Sequence, residues 1–266
     1  MKTRNKNSYF FYFLVLNIVA FSMLFLLNPK YYDWLSDEDR LVENLTALSL
    51  FLSGVLFFLS AFKSGGLPIG LKVALFFIGL IFILGAGEEI SWGQRIFNFE
   101  TPEGLKKIND QNETNIHNIN KKFFDRALDR LTILFVLLTT ILRFIKKKTF
   151  LKFPLPSYYL ILAFGLTPFY NQYSQLNLNF FHLIYIAFIL IFIVAYKSKD
   201  VKLILATLIS ITITPIIMWL HVNYNHHFEA HNNAVHEYRE YLFSICCLAY
   251  AYMIFQFFKI KNSSSV

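Results

Sequence analysis

Charge is scarce in this chain: Asp, Glu, Lys and Arg fill 16% of 266 positions, hydrophobic residues fill 56%, and the mean hydropathy is +0.46. A soluble domain of this length could not hide so much apolar surface from water, which excludes that class. Cysteine is nearly absent. Its two copies, Cys246 and Cys247, are adjacent within an apolar run, and neighbours rarely pair, so they read as buried inert thiols rather than a disulfide. There is no internal repeat, low-complexity linker or separate soluble domain. The net charge of +8 therefore has no span-free basic domain behind it, and no nucleic-acid partner is expected. Phe is abundant, at 31 residues. Alongside many Asn, Lys and Ile, that reads as compositional bias.

What is present is long apolar stretches. At ~1.5 Å of rise per residue, roughly 20 apolar residues cross a ~30 Å hydrocarbon layer as a helix. Eight stretches approach that length, at about 9–28, 41–62, 70–90, 127–145, 157–173, 178–196, 202–221 and 238–258, the fifth interrupted by Pro168, Asn171 and Gln172. The first is too long for a signal peptide and lacks a small-x-small cleavage site, so it reads as an uncleaved span. The predicted fold is an all-α integral membrane protein, a single domain over 1–266 with about eight transmembrane helices and both termini cytoplasmic.

Charge sets the predicted orientation. With the N-terminus inside, 15 basic residues and one acid, Asp200, fall on the inner side, and the other 10 basic residues and 16 acids on the outer side. That is +14 against −6, the asymmetry the positive-inside rule requires. Trp34, Trp92 and Trp219 fall at outer span ends, where an interfacial belt would place them. All seven histidines (His117, His182, His221, His226, His227, His231 and His236) gather at that side as well. No topological rule sorts histidine, so the segregation points to chemistry. The expectation is a multi-pass protein of the cell (inner) membrane with its site on the extracytoplasmic face.

The third span ends in Gly85-Ala86-Gly87-Glu88-Glu89-Ile90-Ser91-Trp92-Gly93-Gln94-Arg95. Paired carboxylates at the end of an apolar run are costly, which makes Glu88 and Glu89 catalytic candidates. If the helix continues, Glu88, Trp92 and Arg95 share a face, with Trp92, Gln94 and Arg95 available to substrate. The plainer reading is an interfacial cap meeting headgroups. Glu43 lies one turn inside the second span and is a further binding candidate. Pro102 suits the first helical position after Thr101, so 102–118 is predicted to hold an interfacial helix. On it Glu113 and His117 would be i, i+4 neighbours able to share a metal, with Asn118 beside them. A hydrated polar loop is the alternative.

The richest segment runs from His221 to Glu240. Projected at about 100° per residue, His226, Glu229, Asn233, His236, Glu237 and Glu240 share one face, while Ala234, Val235, Tyr238, Tyr241 and Leu242 lie mainly opposite. The polar face continues into the last span, so Glu237 and Glu240 should point into the bundle. His236 and Glu237 are catalytic candidates, Asn233 a binding candidate, and Glu113, His117, His236 and Glu240 a candidate set for zinc or another divalent metal. A zincin HExxH is absent. A polar cap on the last span is the simpler account.

Three stretches, Glu38–Ala47, Gly87–Arg95 with its Glu-Glu-Ile-Ser-Trp-Gly-Gln core, and Gln111–Asn118, resemble a group of uncharacterised bacterial multispan membrane proteins. That resemblance implies membership and not mechanism. His227 and His231 form an HxxxH pair near the last span, similar to that of intramembrane hydrolases of the alkaline ceramidase and adiponectin-receptor type. Glu pairs stand where those proteins carry early-span Ser and Asp.

Three functions compete. An enzyme at the outer membrane boundary would hydrolyse or transfer a group on a lipid or lipid-linked substrate, with a carboxylate or His as base, with or without metal-bound water, and Arg95 on a phosphate or carboxylate. A transporter would need ionisable groups near the midplane, where the spans offer little beyond Asn17, Ser210 and Thr212. A non-catalytic assembly or sensor protein would use the histidines as a pH-responsive surface.

Overall fold

Inside a bilayer no water is present to bond the backbone, so an apolar chain must satisfy its N–H and C=O groups within helices. The computed structural model, which describes residues 2–36, 40–63, 67–107, 114–170, 174–224 and 232–263, follows that rule. Its helices are α1 (Lys2–Leu27), α2 (Pro29–Ser36), α3 (Leu41–Lys63), α4 (Ile69–Glu89), α5 (Gln94–Phe97), α6 (Glu103–Lys106), α7 (Lys121–Phe144), α8 (Tyr158–Leu166), α9 (Ser174–Lys197), α10 (Val201–Tyr224) and α11 (Asn232–Ser263). A two-stranded hairpin, β1 (Thr149–Phe150) with β2 (Phe153–Pro154), joins α7 to α8. Its turn residues Leu151 and Lys152 both take positive φ, 48° and 70°, as a two-residue hairpin turn requires.

Among the described residues, six segments are long and apolar enough to cross a membrane: Asn7–Leu27, Pro29–Phe62, Ile69–Glu89, Phe180–Lys197, Val201–Leu220 and Ala234–Lys259. The protein is therefore a multispan membrane protein. Large apolar side chains such as Leu16, Phe77, Ile81, Leu134 and Ile216 are exposed along the outside of the bundle, as lipid contact requires. Hydroxyls inside the spans bond to their own helix: Ser53 donates to the Ser49 carbonyl, Ser210 to that of Ala206 and Thr212 to that of Leu208.

Two of the eight expected spans differ from the simple picture. The fourth, α7, has the length but carries Asp125 and Asp129 near its start. The fifth is only nine α-helical residues, extended by a 3-10 turn over Thr167–Phe169. Nearly every α8 residue is buried against α1, α7, α10 and α11. Irregular backbone is tolerated at membrane depth where protein rather than lipid surrounds it. The chain reaches α8 where α7 finishes, with Arg143 donating to the carbonyls of Leu155 and Pro156. It leaves beside the start of α11, where the Tyr170 and Tyr238 rings meet edge to face at 4.9 Å. The short helix thus carries the chain from one end of the bundle to the other.

Core contacts define those ends. Phe57 and Ala61 of α3, Leu71 and Leu75 of α4, and Ala251, Ile254 and Phe258 of α11 form one cluster. Phe25 of α1, Tyr32 of α2 and Ala234 of α11 form another at the opposite end. Helix α3 meets α4 through glycine: a Cβ on Gly54 would stand 2.8 Å from the Gly79 carbonyl oxygen. Only bare backbone permits that approach.

The interfacial helix predicted within 102–118 is not continuous. Pro102 is the cap preceding α6 rather than its first helical residue, and α6 has four residues. Residues 114–116 are not helical, and a 3-10 turn covers His117–Asn120. The break follows from the bonds that hold 114–116 extended against the end of α4, described next.

Candidate functional site

Helix α4 stops at Glu89 because the next residues leave helical space: Ser91, Trp92 and Gly93 have φ of 45°, 55° and 77°. The helix therefore does not continue to Arg95, which lies beyond the break in α5, and the i, i+7 register with Glu88 is lost. The reversal folds the Trp92 ring back over Gly87, where a Cβ would meet it at 2.9 Å. Trp92 Nε1 then donates to Glu88 Oε1 at 2.8 Å, and the Ile116 amide donates to Glu88 Oε2 at 2.6 Å. Gln94 receives the Thr114 amide at 2.7 Å and donates to Thr101 Oγ1 at 2.7 Å. Asn115 Nδ2 donates to Ser91 Oγ at 3.1 Å. The Gly-Glu-Glu-Ile-Ser-Trp-Gly-Gln motif is thus a clamp tying 114–116 to the end of α4. Both Glu88 oxygens are engaged in it. The two neighbouring acids part company here: Glu88 tethers backbone, and Glu89 turns to α11.

Helix α11 is buried from Ala234 to Arg239, with Glu240 half-buried. Three faces serve three partners. Tyr238 stacks on Phe21 of α1 at 4.1 Å and donates to Asn17 Oδ1 at 2.5 Å. Arg239, 1% exposed, reaches α7, with Nη2 at 2.5 Å from Asp125 Oδ1 and Nη1 at 3.4 Å from Asp129 Oδ2. His236 Nδ1 lies 3.6 Å from the other Asp125 oxygen. The third face presents Glu237 and Glu240, whose carboxylate oxygens and that of Glu89 all lie within 4.8 Å of one another. Glu240 also lies 3.6 Å from Arg239 Nη2, which joins the two groups.

Glu89, Glu237 and Glu240 are the residues, among those described, that could hold a cation. Two unit charges 4.8 Å apart repel by about 3 kcal/mol at an effective dielectric of 20. Arg239 meets Asp125 and Asp129 on one side and lies 3.6 Å from Glu240 on the other. A positive group among Glu89, Glu237 and Glu240 would turn their repulsion into attraction. All-carboxylate oxygen ligands suit magnesium, manganese or calcium better than zinc.

The structure sorts the expected residues into three groups. Glu89, Glu237, Glu240 and His236 converge at one end of the bundle. Glu88, Trp92 and Gln94 form the clamp beside them. Glu43, half-buried in the first turn of α3, is not a member of the carboxylate trio. His117 and Asn118 lie in the 3-10 turn before α7, and Asn233 in the first turn of α11. Glu113, His226, His227, Glu229 and His231 lie outside the described residues. Of the expected metal set, Glu240 groups with Glu89 and Glu237, while His236 turns to Asp125. Asp125, Asp129 and Arg239 escaped the sequence reading. Their signal was an i, i+4 acid pair entering the fourth apolar run and an arginine entering the eighth, positions that favour pairing. The chain matches no protein-family model, no curated protein and no solved structure.

Proposed function

We propose that the chain is a membrane-embedded enzyme that hydrolyses, or transfers a group on, a lipid or lipid-linked substrate at one face of the membrane. The observation that supports this is the meeting of Glu89, Glu237 and Glu240 within 4.8 Å beside the His236–Asp125 pair. Holding like charges together in a partly dehydrated pocket lowers stability, and sites that do so are disproportionately functional. In this reading Glu237 is the general base, and His236, oriented by Asp125, passes the proton to the leaving group. Glu89 and Glu240 hold a divalent cation or a positively charged part of the substrate. Arg239 is a positioning residue, since Asp125 and Asp129 already occupy its guanidinium. Arg95 remains the candidate for a substrate phosphate.

The charge asymmetry, taken with eight crossings and both termini inside, supports an extracytoplasmic position for this end. Ser210 and Thr212, two of the polar residues a transport path would use, bond to their own helix instead, which weighs against transport.

Glu237→Gln keeps the side chain's shape and removes its charge. In a strain relying on this variant, the lipid change made by the native protein falls by about 10²–10⁴-fold, the usual range for a lost general base, at unchanged protein level. Lipid profiles identical to native in both Glu237→Gln and Glu240→Gln would overturn the enzyme and favour a non-catalytic assembly protein. Adding magnesium or manganese after chelation tests the cation separately.

A further inference from the structure

A second feature lies directly below the carboxylate site. A cavity of about 450 Å³ opens between α4 and α7, with α11 and α8 behind it and the β1–β2 hairpin as its floor. Its top is one helical turn from the buried ion pair: Thr132 of α7 lines it three residues after Asp129, and Phe243 of α11 lines it four residues after Arg239. Phe150, Leu151 and Phe153 close the far end. The lining is apolar apart from two threonines, a cysteine and Tyr250. Thr132 and Thr139 donate their hydroxyls to carbonyls of their own helix, and the Tyr250 hydroxyl donates to the Pro154 carbonyl. Leu131 and Leu151 line the cavity and are also 65% and 74% exposed on the outer surface, so it opens sideways to the surroundings of the bundle.

Shape narrows the occupant. On α7 the lining runs from Leu131 to Leu142 and on α11 from Phe243 to Ile254, each about 16 Å at 1.5 Å per residue. The volume spread over that length gives a tube about 6 Å across, room for one hydrocarbon chain at ~4 Å carbon-to-carbon contact and not for two side by side. At roughly 30 Å³ per methylene, close to the liquid volume of a water molecule, it holds on the order of fifteen. The surroundings of this segment of the bundle are hydrocarbon, so the molecule at hand to fill such a tube is a membrane lipid.

We infer that this cavity receives a single acyl chain of the lipid substrate, entering sideways between α4 and α7, with the head group held above it at Glu89, Glu237 and Glu240. The inference rests on the enzymatic reading for the word substrate. The seat for the chain stands on the cavity itself. It makes the hairpin a stop that limits chain length, and it makes the Asp129–Arg239 pair a polar collar between chain and head group.

The test uses the full-length protein in nanodiscs of phosphatidylcholine bearing one palmitoyl chain and one chain ending in a diazirine. Photolysis and peptide mapping are expected to label Phe150–Phe153 about tenfold more than lipid-facing Phe77. Cys247→Phe and Thr139→Phe, which fill the tube from opposite walls, each reduce that label by about tenfold, while Cys247→Ala retains it. Turnover is read separately in Glu237→Gln, so loss of turnover and loss of the chain seat are distinguished. Hairpin labelling no greater than at Phe77, and unchanged by both filling variants, overturns the proposal. Specific labelling of the native protein together with unaltered lipids in both Glu237→Gln and Glu240→Gln keeps the chain seat and overturns the enzyme.

Discussion

Removing Arg239 alone should cost more stability than removing Arg239 together with Asp125 and Asp129, the two carboxylates it meets on α7. Its guanidinium is 1% exposed, and the partner carboxylates of Asp125 and Asp129 are 6% and 5% exposed. Arg239→Met takes the guanidinium away from those two buried acids, four residues apart on one face of α7. Breaking a buried pair from one side typically costs about 3–5 kcal/mol, because the surviving charge stays dehydrated and uncompensated. That corresponds to a shift of roughly two to four decades in the folding equilibrium. Converting all three, as Arg239→Met, Asp125→Leu and Asp129→Leu, removes both buried α7 carboxylates along with the guanidinium and leaves Glu240, the more exposed neighbour; buried triads treated this way are often neutral or more stable. The assay is equilibrium unfolding of the purified protein in mixed detergent micelles, monitored by helix content. A loss below about 1 kcal/mol in Arg239→Met, the range of a surface ion pair, would refute the argument. So would a triple variant no better than the single one. Activity is expected to fall in both variants, since Asp125, which orients His236, loses its Arg239 anchor in one and is absent from the other.

Two further substitutions probe the backbone contacts. Gly54→Val would push a side chain into the Gly79 carbonyl, 2.8 Å from the new Cβ; because backbone cannot swing aside, α3 and α4 separate at a cost of about 1–3 kcal/mol or more, read in the same unfolding assay. Gly87→Ala meets only the outer edge of the Trp92 ring, which can move, so the expected result is loss of the Trp92–Glu88 bond with faster proteolysis around 98–107 and an altered Trp emission. Unchanged proteolysis would show that the ring does not hold the clamp.

Much of the architecture was legible in the chain before any coordinates. Apolar stretches longer than a hydrocarbon layer must be helical, because no other single-chain element satisfies its backbone alone. Charge then separates the helix ends. The convergence of Glu89, Glu237, Glu240 and His236 was partly legible as well, since each lies at a costly position at the end of an apolar run. The clamp was not. A helix through Glu88, Trp92 and Arg95 is the natural projection, and the three positive-φ residues that end it are dictated by the Trp92 ring folding onto Gly87 and by bonds to 114–116, some 20 residues away. The shortness of α8 was equally hidden, because its apolar composition fits a full span or a buried half-span alike.

The amino-acid order by itself determined that this protein lives in a membrane, how its ends are charged, and which side chains are expensive where they stand. Those are local facts, settled by hydropathy and spacing along one helix. Which acid faces which helix was decided only in three dimensions. Asp125 and Arg239 are 114 residues apart, and nothing in their neighbourhoods names the other. Pairing of that kind depends on how the packed helices rotate against each other. Side-chain volumes across the whole bundle set that rotation together, which is why α11 could present tyrosines to α1, its arginine to α7 and its glutamates to the end of α4.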